Sequence, residues 1–432
     1  MGKMKKVEEL KAQARRLMQH RVVHNALLMY AVQFSSYLFP LLTLPYLSRV
    51  LSPEKFGLIA FAQMFVWYFV ILTEYGFNLT ATREVATSRD APEKVNRIFS
   101  AVMSAKLILA GGGFLILLLV TQVVEKLRVD LDLYLVAFLG VMGSTLFPLW
   151  LYQGMEKMGQ VAIRDFAAKG LSLIVLFLFV RGDEDYLLAA GAQSGSMLLS
   201  GLVGLWRVRG LGVRFEMPEW AEIAGQFRKG WAPFAGLAAV STAGITNIVA
   251  LGFWSTPVEV AYYSGAQRII IAFRSLVSPI SSALYPYASQ KAAKSERDSI
   301  AFVKRYAWIL AAPFLASGLV MLVGGPVLLP AFLGEKYKES AAVLQIMSFV
   351  PALFAFSLIY STYYMLACGY DKEWMRITAM VTVVNLVLMV VLLSTIRGSH
   401  AIAWTGLLTE ALATLLYLRF YRKRSKELGS SS

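Results

Sequence analysis

Cysteine is almost absent. Cys368 is the only one in 432 residues, so no disulfide can close within the chain. The three histidines, His20, His24 and His400, do not make up a metal-ligand pattern. Charge is scarce too, at 16% of residues, where soluble domains carry about 25%. Acids are the rarer sign, with 27 Asp and Glu against 42 Lys and Arg. No GxxxxGK[ST] loop occurs, which excludes a Walker site and direct use of ATP. A nucleophile elbow is missing as well.

Apolar residues fill the space left. They form 57% of the chain, and the mean hydropathy is +0.58, a composition suited to lipid. A net charge of +15 in a soluble protein would point to nucleic acid. Here the basic residues cluster between apolar runs, so membrane topology accounts for them and no nucleic-acid partner is expected. The opening MGKMKKVEELKAQARRLMQHR is too charged, and runs too long before the first apolar segment, for a cleaved signal peptide. Residues 1–22 read as a basic amphipathic helix on the inner membrane surface.

A transmembrane helix needs about 20 mostly apolar residues. The chain offers twelve such runs, at about 25–48, 58–82, 98–123, 131–153, 161–180, 186–206, 231–253, 259–288, 302–324, 340–367, 374–396 and 399–420. Lys and Arg concentrate on the side of this ladder that holds the N-terminus, which places both termini in the cytoplasm. The longest outside loop runs only from Gly325 to Glu339, too short for an extracellular catalytic domain.

The longest inside connection, residues 207–230, separates six spans from six, giving lobes at 23–206 and 231–428. Residues 429–432 read as an appended tail. The lobes echo one another. Ser52-Pro53 and Ala62-Gln63 match Thr256-Pro257 and Ala266-Gln267 at an offset of 204. Gly154, Glu156 and Lys157 align with Gly369, Asp371 and Lys372 at an offset of 215. Six is an even number of crossings, so the halves share one orientation and a pseudo-two-fold axis along the membrane normal. The fold class expected is an all-α polytopic membrane protein, a transporter architecture with its site near midplane between the halves.

Ionisable side chains inside the spans are the candidates for chemistry. Arg274 lies deep in span eight with Arg268 six residues before it, and no acid lies between Glu259 and Glu296. A charge at the bilayer centre costs roughly 2.5–3.5 kcal/mol on translocon scales, so both arginines are expected to face a cavity or a partner. Pro279 and Pro286 on the same span invite a kink or hinge, because each removes a backbone hydrogen bond. Glu410, as deep in the last span, is either a proton- or cation-coupling carboxylate or a permanent partner of Arg268 or Arg274. Lys106 and Lys169 lie close enough to the inner face to snorkel. Glu74, near Asn78, is a cavity wall or an inter-helix contact.

FPLLTLPYLSRVLSPEKFG (39–57), followed by EYGFNLTATREVA (74–86), resembles the Wzx family of O-antigen and polysaccharide repeat-unit flippases. AQRIIIAFRSLVSPISSALYPYAS (266–289) is similar to that family's pattern of two basic residues and two prolines. Glu74 stands where the family has Asp, keeping the carboxylate. The resemblance implies two six-helix lobes around a central cavity, in a bacterial inner membrane. The implied substrate is an oligosaccharide on undecaprenyl diphosphate, moved from the cytoplasmic to the periplasmic leaflet by alternating access. On that reading Arg268 and Arg274 bind the diphosphate, while Lys106, Lys169 and Arg49 shape a cationic path. Glu74 and Glu410 are then the candidates for coupling to a proton or Na+, and no other cofactor is implied. Membrane lipids and other polysaccharide-assembly membrane proteins are the expected partners of a monomer. The rival reading is a drug or cation exporter of the same fold, which would want an acidic cavity. A polymerase or ligase would need the long outside loops that are missing here.

Overall fold

A computed structural model describes residues 38–430, and every long element among them is a helix. The amphipathic N-terminal helix expected at 1–22 and most of the first span lie outside the described residues. Among the described residues, eight stretches are long and apolar enough to cross a membrane: Pro53–Thr87, Pro92–Val123, Leu131–Gly154, Asp183–Leu211, Glu296–Leu333, Glu335–Leu366, Asp371–Leu393 and Gly398–Leu428. The runs expected at 161–180, 231–253 and 259–288 are helical too, as Met158–Phe179, Trp220–Trp254 and the pair Pro257–Ser275 and Val277–Lys294. The protein is thus a helical, multi-pass membrane protein.

The chain divides into two compact units. One comprises the chain up to Phe39 with Val66–Phe179 and Leu187–Ala238, the other Pro40–Phe65, Val180–Tyr186 and the chain from Ala239 onward. These bounds differ from an even cut at the linker.

The repeated Ser/Thr-Pro pairs are helix starts. Ser52 Oγ accepts from the Lys55 amide at 3.3 Å, and Thr256 Oγ1 accepts from the Glu259 amide at 3.4 Å. The following proline occupies the first helical position, where its missing N–H costs nothing. Within the second unit these two starts pack together at Gly57, where any Cβ would overlap the carbonyl of Pro257. That explains why the segment SPEKFG ends on glycine.

The second span does not run straight. Helix Pro53–Glu74 stops, Tyr75 and Gly76 take the left-handed conformation (φ 41° and 75°), and Phe77–Thr87 resumes. Gly76 carries positive φ at no Cβ cost. The turn is held inside the first unit by helix Trp220–Trp254, with the Tyr75 ring stacked on Phe234 at 4.6 Å. A Cβ on Gly76 would come within 2.8 Å of the Pro233 side chain. The core beneath it gathers Phe77, Val85, Phe99, Val102, Trp150 and Leu151. In the same unit, helices Leu131–Leu146 and Tyr186–Arg207 cross with backbones in contact at Gly143 and Gly201, the close approach small residues permit in membranes.

The eighth span is broken as well. Pro257–Ser275 ends, Leu276 is a single turn residue, and Val277–Lys294 follows. Pro279 has no amide hydrogen to give the Ser275 carbonyl, and this leaves the helix weakest there. The break invited by the prolines therefore falls at Leu276, two residues beyond Arg274, while Pro286 sits inside the continuous helix Val277–Lys294.

Candidate functional site

Arg274 occupies the last turn of helix Pro257–Ser275. There the unpaired carbonyls at a helix C-terminus favour a cation. Its guanidinium carbon sits 4.1 Å from the centre of the Phe354 ring. Arg268, six residues earlier, lies 5.2 Å above the Phe56 ring, and Phe56 in turn meets Tyr337 edge-on at 5.8 Å. Both arginines are half-buried, and neither forms an ion pair among the described residues. A ring attracts a guanidinium but carries no full negative charge to neutralise it. The cation stays available for an anion with planar or paired oxygens.

Glu410 lies in the field of Arg274 and beside Ser357. Its helix is tied to Val350–Tyr360 at this level. Thr414 Oγ1 lies 2.9 Å from Ser357 Oγ and 3.0 Å from the Leu353 carbonyl. The permanent ion pair between Glu410 and Arg268 or Arg274, one of the two readings of the sequence, is not formed among the described residues. Glu410 and Arg274 are neighbours without a bridge.

The first unit treats its charges differently. The Lys106 side chain is 0% exposed, so it does not snorkel to the inner face as its position in the span predicts. It donates to Glu74 Oε1 at 3.1 Å and to the Ser144 carbonyl at 3.0 Å. Ser144 Oγ donates to the same carboxylate oxygen at 2.8 Å, and Asn78 Nδ2 to Oε2 at 2.7 Å. Glu74 is thereby neutralised by Lys106 and accepts from three donors. Sequence reasoning set Lys106 and Glu74 apart as a substrate contact and a coupling group; the fold joins them. Asn78, one turn after Glu74, was legible, whereas Ser144, from another helix, carried no signal.

Lys169 pairs within its own helix with Asp165 at 2.6 Å. Arg49 is exposed and donates to the Ala331 carbonyl at 2.7 Å. Arg397, in the connection before the last span, holds Glu259 at 2.6 Å and Glu339 at 2.8 Å. Hydrogen bonding to Glu259 raises the Arg397 pKa above the ordinary arginine value. This bond accounts for Glu259, the nearest acid to Arg268 in sequence, which is therefore unavailable to either span-eight arginine.

Residues 22–291 match the model of the family described as polysaccharide biosynthesis protein. A protein of Escherichia coli (strain K12), named provisionally as an O-antigen transporter, is 31% identical over 92% of this chain and 96% of its own. Among solved structures, an inward-facing multidrug resistance MATE family transporter of the MOP superfamily aligns with a TM-score of 0.70 at 16% identity. The alignment covers 93% of this chain and 99% of that one. The lipid II flippase MurJ, in an inward closed conformation, aligns with a TM-score of 0.67 at 12% identity, covering 93% and 87%. The fold is that of these exporters, and the resemblance carried by the segments at 39–57 and 74–86 is borne out. By the family match and by identity across nearly its whole length, the chain belongs to the polysaccharide biosynthesis protein family.

Proposed function

We propose that this protein is a twelve-helix flippase. It would carry an undecaprenyl-diphosphate-linked oligosaccharide from the cytoplasmic to the periplasmic leaflet of the inner membrane by alternating access between two lobes, with both termini cytoplasmic. The observation that carries the reading is Arg274, a membrane-embedded cation at a helix break with an aromatic ring on its face and no acid bridging its edge. A diphosphate moving through hydrocarbon loses hydration, and a preorganised guanidinium replaces part of it with charge-assisted hydrogen bonds. Arg268 is the second contact on the same helix, nearer its start.

The remaining charges take supporting roles in this reading. Arg49 and Lys169 bias the path toward anions. Lys106 neutralises Glu74 in the resting state, so Glu74 takes a proton or Na+ only when that pair opens, while Glu410 is the second coupling candidate beside Arg274. A cation exporter of the same fold is the weaker reading, because both cations on the broken eighth helix lack an acidic partner.

The test is translocation of a lipid-linked oligosaccharide in proteoliposomes. Arg274→Ala should slow flipping by at least about tenfold, the cost of one charge-assisted contact of about 1.5–3 kcal/mol. Arg274→Lys should retain part of the rate. Wild-type flipping in Arg274→Ala would sink the assignment, and dissipating the ion gradient in the same vesicles tests the coupling role of Glu74 and Glu410.

A further inference from the structure

The first unit holds a cavity of about 720 Å³ that plays no part in the site above. Phe99, Met103, Leu107 and Leu146 supply its apolar walls, and Arg209 and Arg214 belong to its lining as well. Phe99 and Met103 are each 3% exposed, whereas both arginines are exposed. The cavity is therefore apolar inside and cationic at its open side. Neither arginine side chain forms an ion pair among the described residues.

The segment bearing Arg209 and Arg214 is fastened in place. The Arg214 amide donates to Asn96 Oδ1 at 3.0 Å, and Asn96 Nδ2 donates to Glu216 Oε1 at 2.8 Å. The Glu216 amide donates to Ser100 Oγ at 2.8 Å. Asn96 and Ser100 are both buried in the helix Pro92–Val123. Glu216 is held by Asn96 and Glu219 lies further along, and neither forms an ion pair with the arginines. Around them Trp206, Phe215, Met217 and Trp220 are 66%, 53%, 90% and 68% exposed. Large exposed apolar side chains alternating with arginines are the pattern of a chain lying at the headgroup level of a bilayer.

We infer that this cavity is a binding site for an anionic phospholipid, its phosphate held between Arg209 and Arg214 and one acyl chain inserted along Phe99, Met103 and Leu107. The occupant is amphiphilic because the cavity is. It is anionic because the two guanidiniums form no ion pair among the described residues, and the anchored backbone at Arg214 lowers part of the ordering cost of binding. The site is separate from Arg268 and Arg274 and needs no transport to be detected.

The experiment uses the full-length protein in lipid nanodiscs of phosphatidylglycerol and phosphatidylcholine, with retained lipid counted by native mass spectrometry. Wild type should hold phosphatidylglycerol in preference to phosphatidylcholine. Arg209→Ala combined with Arg214→Ala should weaken that retention about tenfold or more, each charge-assisted contact contributing at least a severalfold factor. Leu107→Trp, which fills the cavity from a half-exposed position, should also displace the lipid. Arg207→Ala removes a neighbouring cation that lies over Trp206 and should change nothing. Thermal unfolding in detergent monitors the fold of each variant. Equal retention of the two lipids, or undiminished phosphatidylglycerol in the double variant, overturns the proposal. So does efficient displacement by undecaprenyl diphosphate, which would assign the cavity to the substrate carrier instead.

Discussion

The second and the eighth helical spans are both broken, and each break follows an ionisable side chain, Glu74 in one and Arg274 in the other. The surroundings are opposite. Glu74 ends its helix, where the dipole disfavours an anion, and the first unit answers with Lys106, Ser144 and Asn78. Arg274 stands where the dipole favours it, and the second unit adds the Phe354 ring and the nearby but unbridged Glu410. A charge that is compensated from all sides belongs to the structure of its resting state. A charge with a ring and an acid nearby but no bond to either is left open to a visitor.

The breaks also differ in kind. Tyr75 and Gly76 require left-handed backbone, whereas Leu276 stays in the right-handed region and needs only the missing amide of Pro279.

Lys106→Met breaks the comparison hardest. It leaves the Glu74 carboxylate without its cation, which should cost about 3–5 kcal/mol, seen as a large drop in the unfolding temperature in detergent. Adding Glu74→Gln should recover most of that loss, and no recovery would mean the pair is not what Lys106 serves. Gly76→Ala comes next. A left-handed non-glycine residue costs roughly 1–2 kcal/mol, and the new Cβ crowds Pro233, so thermal stability should fall by at least that amount. Pro279→Ala should do the converse, changing stability by less than about 1 kcal/mol while slowing oligosaccharide flipping severalfold, because a continuous helix removes the flexible point beside Arg274. An unchanged flipping rate would show the eighth-span break to be static. The smallest effect belongs to Phe354→Leu, which removes a cation–π contact of about 0.5–1 kcal/mol and should change flipping only about twofold to fivefold.

Much of this was legible before any coordinates. The Ser/Thr-Pro repeat, noted in the sequence only as an echo between the lobes, proves to be two helix starts, because capping is local chemistry. Pro279 marked the eighth-span break because a missing N–H acts only one turn back. The embedded charges were visible for the same reason, since cost in hydrocarbon depends on residue type. Their partners were not visible. Lys106 was read as a snorkelling cation because sequence depth cannot show that Ser144 and Glu74 wait beside it. Phe354 and Phe56 were two among many aromatics until the fold set them against arginines. The fastening of residues 208–216 by Asn96 and Ser100 joins positions more than a hundred apart, beyond any periodicity.

The sequence by itself determined that the chain lives in lipid, which family it resembles, where helices start and break, and which spans bear charge. These are properties of composition and of contacts within a turn or two. Tertiary structure alone decided which charge is bridged and which is left open, because a side chain from a distant helix bonds directly to Glu74, whereas Glu410 comes near Arg274 without an ion pair forming among the described residues.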